Sequence, residues 1–363
     1  MSTAEAAAIS EREIAELFAS FPRSGRVILA VSGGADSTAL MVLAQRWRRR
    51  RARGPELIVA TVEHGLRTGS RAEAKAVGAL AGTLGLSHEI LAWRGAKPKT
   101  GIEAAAREAR YRLLADLARR LDAAAIATAH TLDDQAETVL MRLAAGSGPA
   151  GLAGMRPRDV RHGVVLLRPL LGVRKARLFA TLTRAGIRWT EDPMNADPAF
   201  ARARLRMAGA ALAREGLTPE RMGRLAERVA RYEDAVAAAV EMARPQVADP
   251  QRPGLLDGRA LAAAPEEIAL RLLSEAIIGA GAPCNAEKPL RLQRLEALWR
   301  ELRVAITAGD ATRRTLADAL VSVERDGHVL ITRAPLRRSR SAQGGPVSRE
   351  RRKAAKHPFT KPR

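Results

Sequence analysis

Two hydrophobic patterns alternate along the first half of the chain. Short, continuous apolar runs are typical of strands buried on both faces, whereas apolar residues at a spacing of three or four are typical of helices. The first pattern predicts strands over residues 27–31, 57–62, 88–93, 124–129, 164–167 and 187–190. The second predicts helices over residues 38–49, 72–84, 102–121, 134–144 and 175–185. This alternation predicts an α/β fold with a doubly wound, mostly parallel sheet.

From about residue 202 the strand pattern gives way to helices. Thr218-Pro219 is typical of a helix start, with Thr as the cap and Pro in the first turn. Two further helices are predicted over residues 265–278 and 289–302. Residues 316–323 and 328–333 predict a hairpin with a two-residue turn at Asp326-Gly327.

These patterns divide the chain into three predicted regions. Residues 1–205 form the α/β domain, and residues 206–335 form a smaller, mainly helical domain that ends in the hairpin. Residues 336–363 form a basic tail that is poor in apolar residues, so we expect it to be disordered on its own.

The charge of the chain favours a polyanionic partner. The 363 residues include 61 Lys and Arg against 39 Asp and Glu, a formal net charge of +22. Six arginines lie within residues 46–53, and the tail holds ten Lys and Arg beside the single acid Glu350. Although basicity can be incidental in a chain rich in arginine and alanine, such clusters favour binding to nucleic acid.

The composition also excludes several classes of protein. The single cysteine, Cys284, excludes an intramolecular disulfide and cysteine-rich zinc or iron–sulfur sites. The longest uncharged stretch, residues 143–155, has 13 residues, fewer than the roughly 18 that span a bilayer. The first residues carry acids and lack the basic start of a secretory signal. We therefore expect a cytoplasmic protein with no membrane partner.

Polar clusters follow three of the predicted strands. Ligands of open parallel sheets bind beyond the carboxyl ends of the strands, so these clusters are expected to share one edge. After the first strand come Ser32, Gly33, Gly34, Ala35, Asp36 and Ser37. His64 follows the second strand, and the fourth is followed by His130, Asp133, Asp134 and Glu137.

The first cluster has the chemistry of a phosphate-binding loop. Its two glycines allow backbone N–H groups to approach phosphate oxygens, and the helix that follows directs its positive end toward them. Asp36 would repel a triphosphate unless it held Mg²⁺, which is the role we assign to it. The loop is not a Walker A motif, since no Gly-Lys-Ser/Thr follows. The alternative is a structural turn in which Asp36 caps the helix.

The ordered motifs resemble the N-type ATP pyrophosphatases, whose PP-loop reads SGG-x-DS, and within them the tRNA(Ile)-lysidine synthases. The resemblance covers about residues 25–206. It is carried by residues 32–37, 62–67, 106–111, 129–138, 168–171 and 191–197. The chain departs from the family pattern at Glu63, where Asp is usual, at Ala129, where Gly is commoner, and at Ala203, often Asn.

The resemblance implies a ligase that uses ATP and Mg²⁺. ATP activates the C2 carbonyl oxygen of the wobble cytidine in tRNA(Ile) with a CAU anticodon, and pyrophosphate leaves. The ε-amino group of free L-lysine then displaces AMP, which gives lysidine and changes decoding from AUG to AUA. The α/β domain would then bind ATP, and the helical domain would bind tRNA or substrate.

Several charged residues fit this implied chemistry, each with a structural alternative. Asp133, Asp134 and Glu137 are candidates to bind the lysine ammonium and accept its proton, or are first-turn acids favoured by the helix dipole. Arg107 and Arg110 could bind the substrate carboxylate or the α-phosphate, or form a solvated face. His64 and His130 lie at strand ends, where a histidine is as often a hydrogen-bonding residue as a catalyst.

Two other functions remain open at this point. One is another PP-loop tRNA-modifying enzyme, although glutaminase and thiolase members need cysteines that the chain lacks before residue 284. The other is a non-catalytic tRNA-binding protein on the same fold. The sequence does not give the oligomeric state.

Overall fold

The computed structural model describes residues 6–65, 70–95, 97–98, 100–190, 201–281 and 290–335. The chain forms two compact units, Met1–Ala239 and Val240–Arg363. The first unit thus extends past the boundary predicted after residue 205, because the division falls within the long helix Pro219–Val247.

The first unit contains six strands and the helices that cover them. The strands are β1 (Arg26–Ala30), β2 (Glu56–Glu63), β3 (Ser87–Ala92), β4 (Ala123–Ala127), β5 (Arg158–Arg161) and β6 (Val164–Leu167). The longer helices are α1 (Glu11–Leu17), α2 (Ala35–Arg49), α3 (Ser70–Thr83), α4 (Ile102–Arg120), α5 (Leu132–Ala144), α7 (Lys175–Arg184), α8 (Ala201–Met207) and the first part of α10 (Pro219–Val247), up to Ala239. Two short helices, α6 (Pro149–Leu152) and α9 (Gly209–Arg214), complete the unit.

The six strands form one sheet in the order β3-β2-β1-β4-β6-β5. Every pair is parallel except β5 with β6. Strand order reverses between β1 and β4, where Ile28 pairs with Ile58 on one side and Ile126 on the other. The predicted doubly wound, mostly parallel sheet is confirmed, and its switch point lies between the loops that follow β1 and β4.

Both faces of the sheet are buried, as expected of a parallel sheet. Val27 and Leu29 point into a core formed with α1, α2 and α7, whereas Ile28 points into a second core formed with α4. This alternation explains why β1 reads as a continuous apolar run.

Two sequence interpretations in this unit were wrong. Residues 187–190 are not a strand: Trp189 stacks on Phe179 with ring centroids 5.7 Å apart, and the Thr190 N–H donates to the Gly33 carbonyl at 2.9 Å. Their apolar side chains pack on the core instead of forming a ladder. Strand β5 was missed because its exposed, charged sequence has no alternating pattern.

The second unit combines helices with an antiparallel sheet. Its elements are β7 (Leu255–Asp257), α11 (Gly258–Ala263), α12 (Glu266–Ala280), α13 (Leu292–Ala308), β8 (Thr312–Leu316), β9 (Ala319–Val323) and β10 (His328–Arg333). The strand order is β7-β10-β9-β8. Within the part of the chain that is described, no helix is long and apolar enough to cross a membrane.

The hairpins of this sheet differ from the sequence prediction. The single strand predicted over residues 316–323 instead contains the last residue of β8, a turn and β9. The turn residues Ala317 and Asp318 both have positive φ, at 49° and 62°. Conversely, the turn before β10 has three residues, because Glu324 pairs with His328 and Gly327 adopts φ 90°. Ala-Asp carries none of the usual signal for a two-residue turn, whereas Asp-Gly also fits the longer loop.

Candidate active site

The loop between β1 and α2 lies at the switch point of the sheet. Gly33 has φ +96°, a backbone conformation that favours glycine, and a Cβ there would also lie close to Val77, 3.3 Å from its Cγ2. Gly34 is the N-cap of α2, with no side-chain cap hydrogen bond. The first amides of α2 have no intrahelical acceptor, so they can bind an anion.

Two serines fix the shape of this loop. The Ser32 N–H donates to Ser37 Oγ at 3.1 Å, and Ser37 Oγ donates to the Gly34 carbonyl at 2.9 Å. The two hydroxyl oxygens are 3.2 Å apart. The six predicted residues therefore form one folded unit at the start of α2.

Asp36 belongs to a buried charge cluster that spans three helices. Lys175 Nζ lies 3.3 Å from Asp36 Oδ2 and 2.9 Å from Asp134 Oδ1. Burial raises the pKa of Asp36 above its ordinary value, although the charge of Lys175 acts against that rise. Burial also acts to raise the pKa of Asp134, but Lys175 and the Thr131 donors outweigh it and hold that pKa below the usual range.

The start of α5 positions Asp134 through a capping box. Asp134 Oδ2 accepts from the Thr131 N–H at 2.9 Å and from Thr131 Oγ1 at 2.8 Å, and the Asp134 N–H donates to Thr131 Oγ1. One oxygen of Asp134 is thus held by its own helix, and the other faces Lys175.

The other two predicted acids of α5 are paired with arginines. Arg206 donates to both oxygens of the buried Glu137, at 2.6 and 3.1 Å. Asp133 instead accepts from Arg174 Nε and from the Lys175 N–H at 2.8 Å, so it anchors the start of α7. The structure therefore links Asp134 to Asp36 through Lys175, and Glu137 to Asp134 through Arg206, which lies 3.8 Å from Asp134 Oδ1, whereas Asp133 faces α7.

The two predicted histidines lie at the carboxyl ends of β2 and β4 and are neutral at pH 7. Burial, with the charges of Arg110 and Lys97, lowers the pKa of His64 to about 4. Burial lowers the pKa of His130 to about 3 despite the charge of Asp134, and His130 Nδ1 lies 2.9 Å from Thr128 Oγ1. His64 Nδ1 is buried with no hydrogen-bond partner among the described residues.

Arg107 and Arg110 lie on α4 close enough to influence both strand ends. The charge of Arg110 lowers the pKa of both His64 and His130, and the charge of Arg107 lowers the pKa of His130. The Arg107 guanidinium lies over the Tyr111 ring, 5.2 Å from its centroid. The two guanidiniums thus supply positive charge to the carboxyl edge of the sheet.

Sequence reasoning missed Lys175, Arg174 and Arg206 as parts of this site. They lie 41, 41 and 69 residues from the carboxylates that they contact on α5. One signal was present, because Lys175 is the first residue of α7 and a cation at a helix N-terminus is disfavoured by the helix dipole. Such a lysine requires acidic partners.

Some predicted features lie outside the described residues. These are residues 66–67 of the motif over residues 62–67, the motif over residues 191–197, Cys284 and the tail over residues 336–363. The arginine cluster of residues 46–53 is described, and it lies at the carboxyl-terminal end of α2. Since Asp36 lies in the first turn of α2, the cluster is at the opposite edge of the sheet from the loop.

The donor set fits a magnesium ion held jointly with a nucleotide. Asp36 Oδ1 is buried and has no hydrogen-bond partner among the described residues. That part of the chain has no group of three or more His, Cys, Asp or Glu that could hold a metal alone. Mg²⁺ commonly binds through one or two carboxylates, substrate phosphates and water, which matches a site with one available carboxylate oxygen.

Comparison with known proteins agrees with this architecture. Residues 6–210 match the family model described as a PP-loop domain. A tRNA(Ile)-lysidine synthase of Methylobacterium sp. (strain 4-46) is 53% identical over 324 residues, which cover 88% of this chain and 92% of the relative. Another, of Bradyrhizobium diazoefficiens, is 47% identical over 365 residues, covering 95% and 100%. The chain belongs to the tRNA(Ile)-lysidine synthase family.

A solved structure outside this family shares the fold. A U34-tRNA thiolase from Methanococcus maripaludis aligns with a TM-score of 0.52 and 17% identity, covering 61% of this chain and 78% of the thiolase. The similarity confirms the PP-loop architecture. Membership of the lysidine synthase family confirms the sequence-based resemblance and does not favour the alternative of another PP-loop enzyme or a non-catalytic binding protein.

Proposed function

We propose that this protein is an ATP-dependent ligase that forms lysidine at the wobble cytidine of tRNA(Ile) with a CAU anticodon. The C2 carbonyl oxygen attacks the α-phosphate of ATP, and pyrophosphate leaves. The ε-amino group of free L-lysine then attacks C2, AMP leaves, and the attacking nitrogen loses a proton. We also propose that the reaction takes place in the cytoplasm.

The observation that carries the proposal is the identity to lysidine synthases over most of the chain, together with the intact loop at the switch point. Identity of 53% extends over 88% of the chain and is not confined to the loop. The loop retains both glycines, both serines and Asp36 in a folded arrangement.

We propose that the loop and Asp36 bind the triphosphate. The amides at the start of α2 would donate to phosphate oxygens, and Asp36, whose Oδ1 has no partner among the described residues, would hold Mg²⁺. The ion would supply positive charge to stabilise the departing pyrophosphate.

The acidic side chains of α5 are the proposed partners of the lysine substrate. Asp134 and Glu137 are both already engaged with cations, Lys175 and Arg206. An incoming ammonium would therefore share these carboxylates. Glu137 is the proposed proton acceptor, because, despite burial, Lys175 and Thr131 hold the pKa of Asp134 below its usual range. Asp133, which anchors α7, is proposed to support this group indirectly.

Two neutral histidines and two arginines of α4 complete the proposed site. With pKa values of about 4 and 3, His64 and His130 are uncharged at pH 7, so they can donate or accept hydrogen bonds near the cytidine without repelling the substrate ammonium. Arg107 and Arg110 are proposed to bind the substrate carboxylate or the α-phosphate. Residues 206–335 and the tail are proposed to bind tRNA.

The test is a reaction with ATP, L-lysine and unmodified tRNA(Ile). The proposal requires AMP and pyrophosphate in equal amounts, and lysidine at the wobble position by mass spectrometry of the nucleosides. Formation of ADP, or an unmodified cytidine after AMP release with lysine present, contradicts it. A tRNA with guanosine at the wobble position is the matched control and should give no product.

A further inference from the structure

Lys175 occupies a position that a cation normally avoids. It is the first residue of α7, where the helix dipole is positive, and Arg174 precedes it as the N-cap. Only 21% of its side chain is exposed. Its ammonium is nevertheless held between two carboxylates, those of Asp36 and Asp134.

The side chain and the backbone of Lys175 are both fixed by acids of the site. The ammonium lies 2.9 Å from Asp134 Oδ1 and 3.3 Å from Asp36 Oδ2, and the Lys175 N–H donates to Asp133 Oδ2 at 2.8 Å. Lys175 therefore joins the starts of α2, α5 and α7 at one point.

The two carboxylates that contact Lys175 differ in how their second oxygen is paired. Asp134 Oδ2 is committed to Thr131, and its Oδ1 faces Lys175. Asp36 gives only Oδ2 to Lys175, and its buried Oδ1 has no partner among the described residues. Without the ammonium, the two carboxylates would repel each other and Asp36 would lose its anchor.

We propose that Lys175 is a positioning residue of the nucleotide site, which holds Asp36 by one oxygen so that the other is directed at the Mg²⁺ of the bound nucleotide. This inference rests on the proposed function, since it assumes that Asp36 holds that ion. Lys175 acts through Asp36 and does not touch the triphosphate.

The test measures how much Mg²⁺ strengthens the binding of a non-hydrolysable nucleotide, α,β-methylene-ATP, by calorimetry with Mg²⁺ and with EDTA. The Lys175→Met variant keeps the aliphatic stem and removes the charge. We expect the strengthening by Mg²⁺ to fall by about tenfold or more, the size of one close charge contact. Binding in EDTA should change by less than about threefold, because no phosphate contact is lost.

Matched variants separate positioning from stability. Arg177→Met removes another cation of α7, whose ion pair with Glu13 lies outside the site, and it should leave the strengthening by Mg²⁺ unchanged. Lys175→Arg should restore part of the effect, because a guanidinium can still bridge the two carboxylates. If Lys175→Met does not fold, the neutral Lys175→Gln gives the same comparison.

Two results would overturn the inference. An equal loss of affinity in EDTA and in Mg²⁺ would mean that Lys175 binds phosphate directly. Unchanged strengthening by Mg²⁺, with only a lower melting temperature, would mean that Lys175 is purely structural. If the unsubstituted protein shows no strengthening by Mg²⁺, the nucleotide site of the proposed function itself is wrong, which is a distinguishable failure.

Discussion

The charged residues at the two edges of the central sheet differ in burial and in pairing, and helix α2 connects the two edges. At the carboxyl edge, where α2 begins, Asp36, Asp134 and Lys175 are largely buried and form one network. At the amino edge, where α2 ends, the arginines of residues 46–53 are mostly exposed. The helix has 15 residues, so the two groups are separated by about 22 Å.

The arginines at the amino edge have few partners. Arg50 pairs with Glu11 at 3.2 Å, and Arg51 lies over Trp47. Arg49 and Arg53 make no ion pair within the described residues. Buried, mutually fixed charges favour specific chemistry, whereas exposed, unpartnered charges favour contact with any polyanion.

The largest effect is expected from Asp36→Ala at the carboxyl edge. AMP formation should fall by about 100-fold or more, because the variant loses the carboxylate that holds Mg²⁺. Binding of tRNA, measured by filter retention, should remain within about twofold, because the arginine cluster of residues 46–53 lies at the opposite end of α2 from Asp36. Asp116→Asn, an exposed acid of α4, is the control and should retain activity. A collapse of tRNA affinity with Asp36→Ala would show that the two sites overlap.

Glu137→Gln should affect the second half of the reaction. Arg206 loses its bidentate acceptor, and the lysine substrate loses an anionic partner, so we expect a rise in the KM for lysine of about tenfold. Adenylation of tRNA without lysine, followed as pyrophosphate release, should be nearly unchanged. Glu89→Gln is the control, because it removes the charge of a carboxylate from an exposed ion pair with Arg120. Equal loss in both half-reactions would place Glu137 at the nucleotide instead.

The parts of the candidate site that are local in the chain were named from the sequence. The loop between β1 and α2 and the acids of α5 could be found because a few consecutive residues carry each motif. Lys175 and Arg206 could not be found, because their roles depend on partners 41 and 69 residues away on α5. The packing of residues 187–190 on the core likewise depends on Phe179 and Gly33, which a local apolar pattern does not include.

Two capping boxes allow a finer comparison within the first unit. Thr131→Val removes the cap of α5, and Ser10→Ala removes the cap of α1, away from the site. Each should lower the free energy of unfolding by about 1 kcal/mol, the usual value of an N-cap, as measured by urea denaturation. Only Thr131→Val should also slow AMP formation, because Thr131 orients Asp134. Equal activity of the two variants would remove that positioning role.

The smallest effect is expected at the amino edge. Arg49→Gln with Arg53→Gln should leave kcat unchanged and lower the salt slope of RNA affinity by about 1 to 2, depending on how many phosphates are contacted. Deletion of residues 336–363 should also flatten the slope, and by more, because the tail carries ten Lys and Arg against one acid. Titrations of RNA affinity against KCl concentration measure both effects. An unchanged salt slope in the double variant would show that Arg49 and Arg53 form only a solvated surface.

The most direct test is a crystal structure with α,β-methylene-ATP and Mg²⁺. The triphosphate should lie on residues 32–37, with the ion bound to Asp36 Oδ1 and with Lys175 still on Oδ2. Nucleotide bound elsewhere, with this loop empty, would contradict the assignment of the active site.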